Sequence, residues 1–163
     1  MNKVFKKTVY LTQAALIAAI YTVLTMIAAG FDLASGAIQV RISEALTILP
    51  VFTAAAVPGL TVGCVLANLI TGCAPWDVVF GSLATLIGAV GTRLLKDHPY
   101  VAWIPPVVSN MAIVPIVLQQ VYGVPDAWWY LVLTVGAGEV ISCGVLGLLL
   151  YKAASKIPQL KQA

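Results

Sequence analysis

The chain has 163 residues, of which 61% are hydrophobic and 9% charged. A soluble domain carries roughly 25% charged residues, so a soluble globular fold is excluded and the bilayer is the expected solvent. The nine Lys/Arg set against six Asp/Glu form no basic stripe interleaved with aromatics, which excludes a nucleic-acid surface.

The first apolar run, Thr8 to Ala29, is long enough to cross about 30 Å of hydrocarbon at about 1.5 Å per residue, and too long for a signal peptide. It predicts a transmembrane helix over 8–29. Ala14, Ala15, Ala18 and Ala19 form two overlapping small-x-x-x-small pairs within it. Another helix approaches closely at such a face. Packing within the chain and docking to a second membrane subunit both fit.

The next stretch, "GAIQVRISEALTILP" from Gly36 to Pro50, places Gln39, Arg41, Ser43 and Glu44 between two apolar runs. With Ser43 as N-cap, Glu44 falls in the first helical turn, where negative charge is favourable. An exposed Arg41–Glu44 pair would contribute only about 0–1 kcal/mol. Four polar groups together point instead to a lid hinge that closes over a polar ligand and lends it hydrogen bonds.

Ala45 to Thr71 reads as one long helix or as two short ones folded at Val57-Pro58-Gly59. Charge separates the two. Lys3, Lys6 and Lys7 flank the start, Arg93 and Lys96 an interior turn, and Lys152, Lys156 and Lys161 the end. The positive-inside rule puts all three groups in the cytoplasm, so an even number of crossings must precede Arg93. The reading is an all-α integral membrane protein, a compact six-helix bundle with both termini cytoplasmic. The expected helices are 8–29, 44–57, 59–72, 76–95, 100–122 and 127–152, in one domain over 1–163. Low tilt or local thinning of the bilayer accommodates the short ones.

The outer connections then hold Asp32, Arg41, Glu44, Asp77 and Asp126, with Trp76, Trp128 and Trp129 beside them. Trp76 and Asp77 open the fourth helix. They fit an interfacial anchor followed by a helix-start charge, and equally a stacking ring and a carboxylate facing an outward pocket. Asn68 and Asn110, inside apolar helices, suit interhelical hydrogen bonds or ligand contact; Gln119 and Gln120 are weaker cases of the same kind. Glu139 lies about twelve positions into the last helix, roughly 18 Å along it. A carboxylate at that depth costs about 2.5–3.5 kcal/mol on insertion scales. It is expected to face the protein interior and meet a ligand, a proton or a cation, and Gly136 and Gly138 leave room beside it.

Cys64, Cys73 and Cys143 stand singly, without metal spacing, and read as packing residues. His98 has no second ligand or nucleophile partner, and there is no phosphate-binding Gly-x-x-x-x-Gly-Lys-Ser/Thr loop. No enzymatic activity, metal or cofactor is expected.

Six short helices, the alanine pairs, the long outer loop and "IQVRISEALTILP" resemble the substrate-binding S components of energy-coupling-factor (ECF) transporters, and in particular the queuosine-precursor group, the QueT family. "QVRISEAL" is the most specific part, and the resemblance covers nearly the whole chain. It implies a multi-pass subunit in a prokaryotic plasma membrane that captures queuine or a related 7-deazaguanine from outside. It also implies a transmembrane T component and two cytoplasmic ATPases as partners, with Ala14, Ala15, Ala18 and Ala19 as the T-component docking face. The implied substrate region draws on Glu139, Asp77, Trp76, Asn68, Asn110, Gln119, Gln39, Arg41 and Glu44. Glu139 or Asp77 suits the adjacent N–H donors of the purine-like edge, since charge-assisted bonds are about twice as strong as neutral ones. Trp76 suits stacking, and Asn68 and Asn110 suit the carbonyl or ring nitrogens. An S component for another vitamin-like solute, a stand-alone carrier coupled to protons through Glu139, and a ligand-free structural subunit remain open.

Overall fold

The computed structural model describes residues 3–31 and 40–157, and every regular element among them is helical. Gln39 lies outside the described residues. Helix α1 spans Lys3–Gly30. Helix α2, Ile42–Val51, is a 3₁₀ helix. Helix α3 is Ala56–Ile70, α4 is Pro75–Leu94 and α5 is Ile104–Gln120. Helix α6 runs continuously over Trp128–Ala154, with a π-helical segment at Val140–Leu146. Helices α1, α4 and α6 include the segments long and apolar enough to cross a membrane; α2, α3 and α5 are apolar but shorter.

The chain breaks between α2 and α3 at Phe52–Ala55, earlier than the expected fold at Val57-Pro58-Gly59. The reason is local. Pro58 sits in the first turn of α3, where a backbone N–H has no intrahelical acceptor to lose. Gly59 and Gly63 are then free to pack. A Cβ added to Gly59 would lie 2.7 Å from the Ala14 carbonyl oxygen, and one added to Gly63 would lie 2.9 Å from that of Ala18. The alanine face of α1 and the glycines of α3 thus form a close small-residue interface, and the Thr22 hydroxyl donates across it to the Gly63 carbonyl at 3.2 Å.

Around this contact lies the core: Ile17 and Tyr21 of α1, Leu46 of α2, Leu60, Cys64 and Ala67 of α3, and Ala89 of α4. Helices α4 and α5 meet equally closely, with Gly88 against Pro106. Pro105 and Pro106 start α5, where their missing donors are harmless.

Arg93 and Lys152 lie at one end of the bundle, whereas Arg41 lies within it beside Glu139. Arg93 Nη1 donates to the Pro50 and Val51 carbonyls at 2.9 and 3.4 Å, satisfying the last acceptors of α2. Gln13 near the start of α1 accepts from Thr53, and Phe52 stacks on Tyr151, next to Lys152. At the opposite end the α3–α4 and α5–α6 connections meet, where the Ala74 N–H donates to the Tyr122 hydroxyl at 3.2 Å.

Candidate functional site

The π-helical segment of α6 begins directly after Glu139. Such one-turn widenings recur at functional sites because they re-aim side chains on an otherwise regular helix. Here Glu139, Ser142 and Cys143 all point inward and are buried. The start of α2 packs against this turn. The Arg41 backbone N–H donates to Ser142 Oγ at 3.2 Å, and Ser142 Oγ donates to the Gly138 carbonyl at 2.9 Å. The Thr47 hydroxyl contacts both the Glu44 carbonyl and Cys143 Sγ, at 2.6 and 3.4 Å.

This packing brings two carboxylates together in the protein interior. Glu44 is 1% exposed and Glu139 6%. One carboxylate oxygen from each, with Cys143 Sγ, lie within 4.8 Å of one another. Each carboxylate has a donor. The Tyr21 hydroxyl of α1 donates to Glu44 Oε1, and Cys143 Sγ donates to Glu139 Oε2 at 3.2 Å. Asn110 of α5 adjoins Glu139. The half-buried Arg41 side chain reaches toward the same space and, with Val114, Val135 and Glu139, lines a small cavity of about 10 Å³. Glu44 Oε2 is fully enclosed and accepts no hydrogen bond among the described residues. Burying a carboxylate is tolerated only with compensation of this kind, and four helices (α1, α2, α5, α6) supply it.

Ser43 does not cap α2. Arg41 holds the N-cap position with no side-chain bond, while Ser43 is fully buried and accepts from Thr25 of α1 at 2.8 Å. Ser43 is the second residue inside the helix and not the boundary residue a cap must be, and it ties α2 to α1 instead.

A second polar group lies between α3 and α4. Asp77 is 9% exposed, and the Tyr122 hydroxyl donates to its Oδ2 at 2.8 Å. Partial burial, aided by the Asp77 carboxylate, pushes the Tyr122 hydroxyl up to about 12, so it stays a donor. Asn68 donates to Cys64 Sγ at 3.7 Å. A Cβ on Gly81 would stand 3.2 Å from Asn68 Nδ2 and 3.4 Å from Asp77 Oδ1, so both side chains face that glycine.

The remaining sequence candidates fall elsewhere. Trp76 is 62% exposed and stacks on Phe80. It lines an outward-facing apolar groove of about 540 Å³ between α4 and α5, with Leu83, Ile116 and Gln120, and is absent from the cavity beside Glu139. Gln119 donates to the Asp126 carbonyl at 2.8 Å and braces the α5–α6 connection. Of the four alanines, Ala14 and Ala18 face α3, whereas Ala15 and Ala19 are exposed.

Sequence reasoning missed Tyr21 and Ser142 as site residues and took Cys143 for packing. Helical spacing carried a signal for two of them. Cys143 follows Glu139 by one turn, and Tyr21 follows Ala18 on the same face. The π segment, invisible to periodicity, adds Ser142.

The QueT transporter family matches residues 11–156. The queuosine precursor transporter QueT of Lactococcus lactis subsp. cremoris (strain MG1363) is 34% identical over 82 residues, a match that covers 50% of this chain and 47% of that relative. The chain thus spans about half the length of this curated relative. No solved structure matches. The family match runs from within α1 to just past the end of α6 and takes in every residue of the carboxylate cluster, and the chain belongs to the QueT transporter family.

Proposed function

We propose that the chain is the substrate-capturing S component of an ECF importer for a queuosine precursor, queuine or a related 7-deazaguanine. In this reading it crosses a prokaryotic plasma membrane six times with both ends in the cytoplasm. The Arg93 and Lys152 end of the bundle faces inward, and the Tyr122 end faces out. A transmembrane T component and two cytoplasmic ATPases supply the energy, and the exposed Ala15 and Ala19 remain available on α1 for the T component.

One observation carries the proposal: two buried carboxylates meet inside a largely apolar bundle, with the half-buried Arg41 beside Glu139. A carboxylate in hydrocarbon costs about 2.5–3.5 kcal/mol on insertion scales, and such residues mark transport pathways. A purine-like ring offers adjacent N–H donors that a desolvated carboxylate accepts as strong charge-assisted bonds. Glu44 and Glu139 serve as these acceptors, with Arg41 and Asn110 facing the ring's carbonyl and nitrogens. The family match and the name of the Lactococcus relative support the substrate class.

The cavity of about 10 Å³ beside Glu139 is far smaller than a nucleobase, so admission requires the Arg41 end of α2 to move. A 3₁₀ helix as long as α2 is unusual and marks a hinge or strain. Its attachment through Ser142, Cys143 and Tyr21 is made of polar contacts that a ligand's own donors and acceptors can replace.

Isothermal titration of the purified chain with queuine tests the reading. Saturable binding that falls tenfold or more in Glu139→Gln is expected, since a buried charge-assisted bond is lost. No binding of queuine or its precursors overturns it. Uptake into vesicles by the chain alone, driven by a proton gradient without ATP, would replace it with a secondary carrier.

A further inference from the structure

The second half of α6 carries an apolar groove on the side away from the carboxylate cluster. It holds about 320 Å³ between α6 and the turn before α5, and its lining includes Trp103, Val140, Gly144, Val145, Leu149 and Lys152. Gly144 shapes it: a Cβ there would stand 3.4 Å from Trp103 Cε3, so the indole packs directly against α6. The Trp103 ring N–H donates to the Tyr100 carbonyl at 2.9 Å, which fixes the ring as one wall. Val145 and Leu149, both exposed, extend the apolar surface along α6.

Length and charge decide what fills the groove. From Val140 to Lys152 it follows twelve positions of α6, about 18 Å at about 1.5 Å per residue. That is close to the depth of one leaflet, half of a hydrocarbon core of about 30 Å. Val145, Leu149 and Lys152 succeed one another at spacings of four and three, which keeps them on one helical face. Lys152 stands at the end of the bundle shared with Arg93, and among the described residues no acidic side chain lines the groove. The groove between α4 and α5 differs: among the described residues no charged side chain lines it.

We propose that the α6 groove binds one anionic phospholipid of the inner leaflet, with an acyl chain along Gly144, Val145 and Leu149 beside Trp103 and the headgroup phosphate on the Lys152 ammonium. The lysine stem lies along the apolar wall and carries its charge to the interface, where basic groups between helices select anionic headgroups. A zwitterionic lipid fits the same slot but brings its own cation toward Lys152 and gains less. The inference rests on the chain's crossing a membrane with the Lys152 end inward, and not on the capture of a deazaguanine.

Native mass spectrometry of the full chain in detergent, titrated with phosphatidylglycerol and with phosphatidylcholine of the same acyl chains, tests it. One phosphatidylglycerol per chain is expected, held about fivefold more tightly than phosphatidylcholine, the factor one lysine contributes near an anionic surface. Lys152→Gln should bring the ratio of the two affinities toward one. Lys7→Gln, the same charge change on an exposed part of α1, should leave it unchanged. Val145→Trp should fill the groove and release the lipid with Lys152 intact. Equal affinities in the wild-type chain, or no retained lipid, overturn the inference. So does a preference reduced as much by Lys7→Gln as by Lys152→Gln, which marks a diffuse charge effect. A cross-link from Val145→Cys to another protein chain in native membranes, absent from the wild type, overturns it in favour of a protein partner on this face. The lipid comparison on the wild-type chain decides the matter even where a variant does not fold. Queuine titration is a separate readout, so failure here leaves the capture of deazaguanines standing.

Discussion

Replacing Gly63 by alanine tests the small-residue contact that carries Tyr21 to the site. The added Cβ would lie 2.9 Å from both the Ala18 carbonyl oxygen and Tyr21 Cβ, and 3.1 Å from Ala18 Cα. Ordinary van der Waals contact begins near 3.4 Å, and the obstacle is largely α1 backbone, so the two helices must part by roughly half an ångström. Overpacking of this kind costs about 1–3 kcal/mol. The hydrogen bond from Thr22 to the Gly63 carbonyl, 3.2 Å in the native packing, weakens at the same time and adds about 0.6 kcal/mol. Gly136→Ala is the control. Its Cβ would also come within 2.9 Å of a neighbour, but that neighbour is the end of the Met111 side chain, its Sδ and Cε. Methionine swings aside readily, so the loss is expected below about 1 kcal/mol. Unfolding of both variants in mixed micelles measures the difference. Gly63→Ala should be the less stable by about 1 kcal/mol or more, and it should also weaken ligand binding because Tyr21 moves with α1. Equal stabilities would refute the argument that backbone and flexible side chains resist a Cβ differently here.

Arg93→Ala leaves the Pro50 and Val51 carbonyls without their charged donor and should destabilise by about 1–2 kcal/mol in the same assay, a value reduced by the half-buried position of Arg93. Tyr122→Phe removes the tie between the two connections at the other end; because Tyr122 is exposed, the loss should stay near about 0.5–1 kcal/mol. Ala18→Leu should separate α1 from α3 and prevent folding, while Ala15→Leu should fold normally and reduce co-purification of a T component, read by pull-down. Trp76→Ala should leave queuine affinity within about twofold, since Trp76 faces outward; a larger loss, measured by titration, would place the ligand in the groove between α4 and α5.

The helical class and the family could be read from the sequence because both rest on strong signals. Apolar runs of membrane length mark α1, α4 and α6, and "QVRISEAL" covers the start of α2. Glu139, Arg41 and Glu44 could be singled out as candidates from polarity alone, since such residues stand out in an apolar chain. Their meeting was not. It depends on α2 being a 3₁₀ helix and on the π turn of α6, and both are tertiary outcomes that helical periodicity does not encode. Trp76 shows the opposite limit. Its position in the chain says that it sits near an outer connection, but its direction around α4 is set by packing, which turns Asp77 inward and Trp76 out. The alanine face divided for the same reason: glycines on α3 claim Ala14 and Ala18, a pairing that small residues on one helix cannot reveal alone.

The most direct measurement of the central claim is native mass spectrometry of the chain purified from cells supplied with queuine. The account predicts one queuosine precursor bound per chain, displaced by added queuine and lost in Glu139→Gln. A chain that carries no such molecule and gives no thermal shift with any 7-deazaguanine would contradict it.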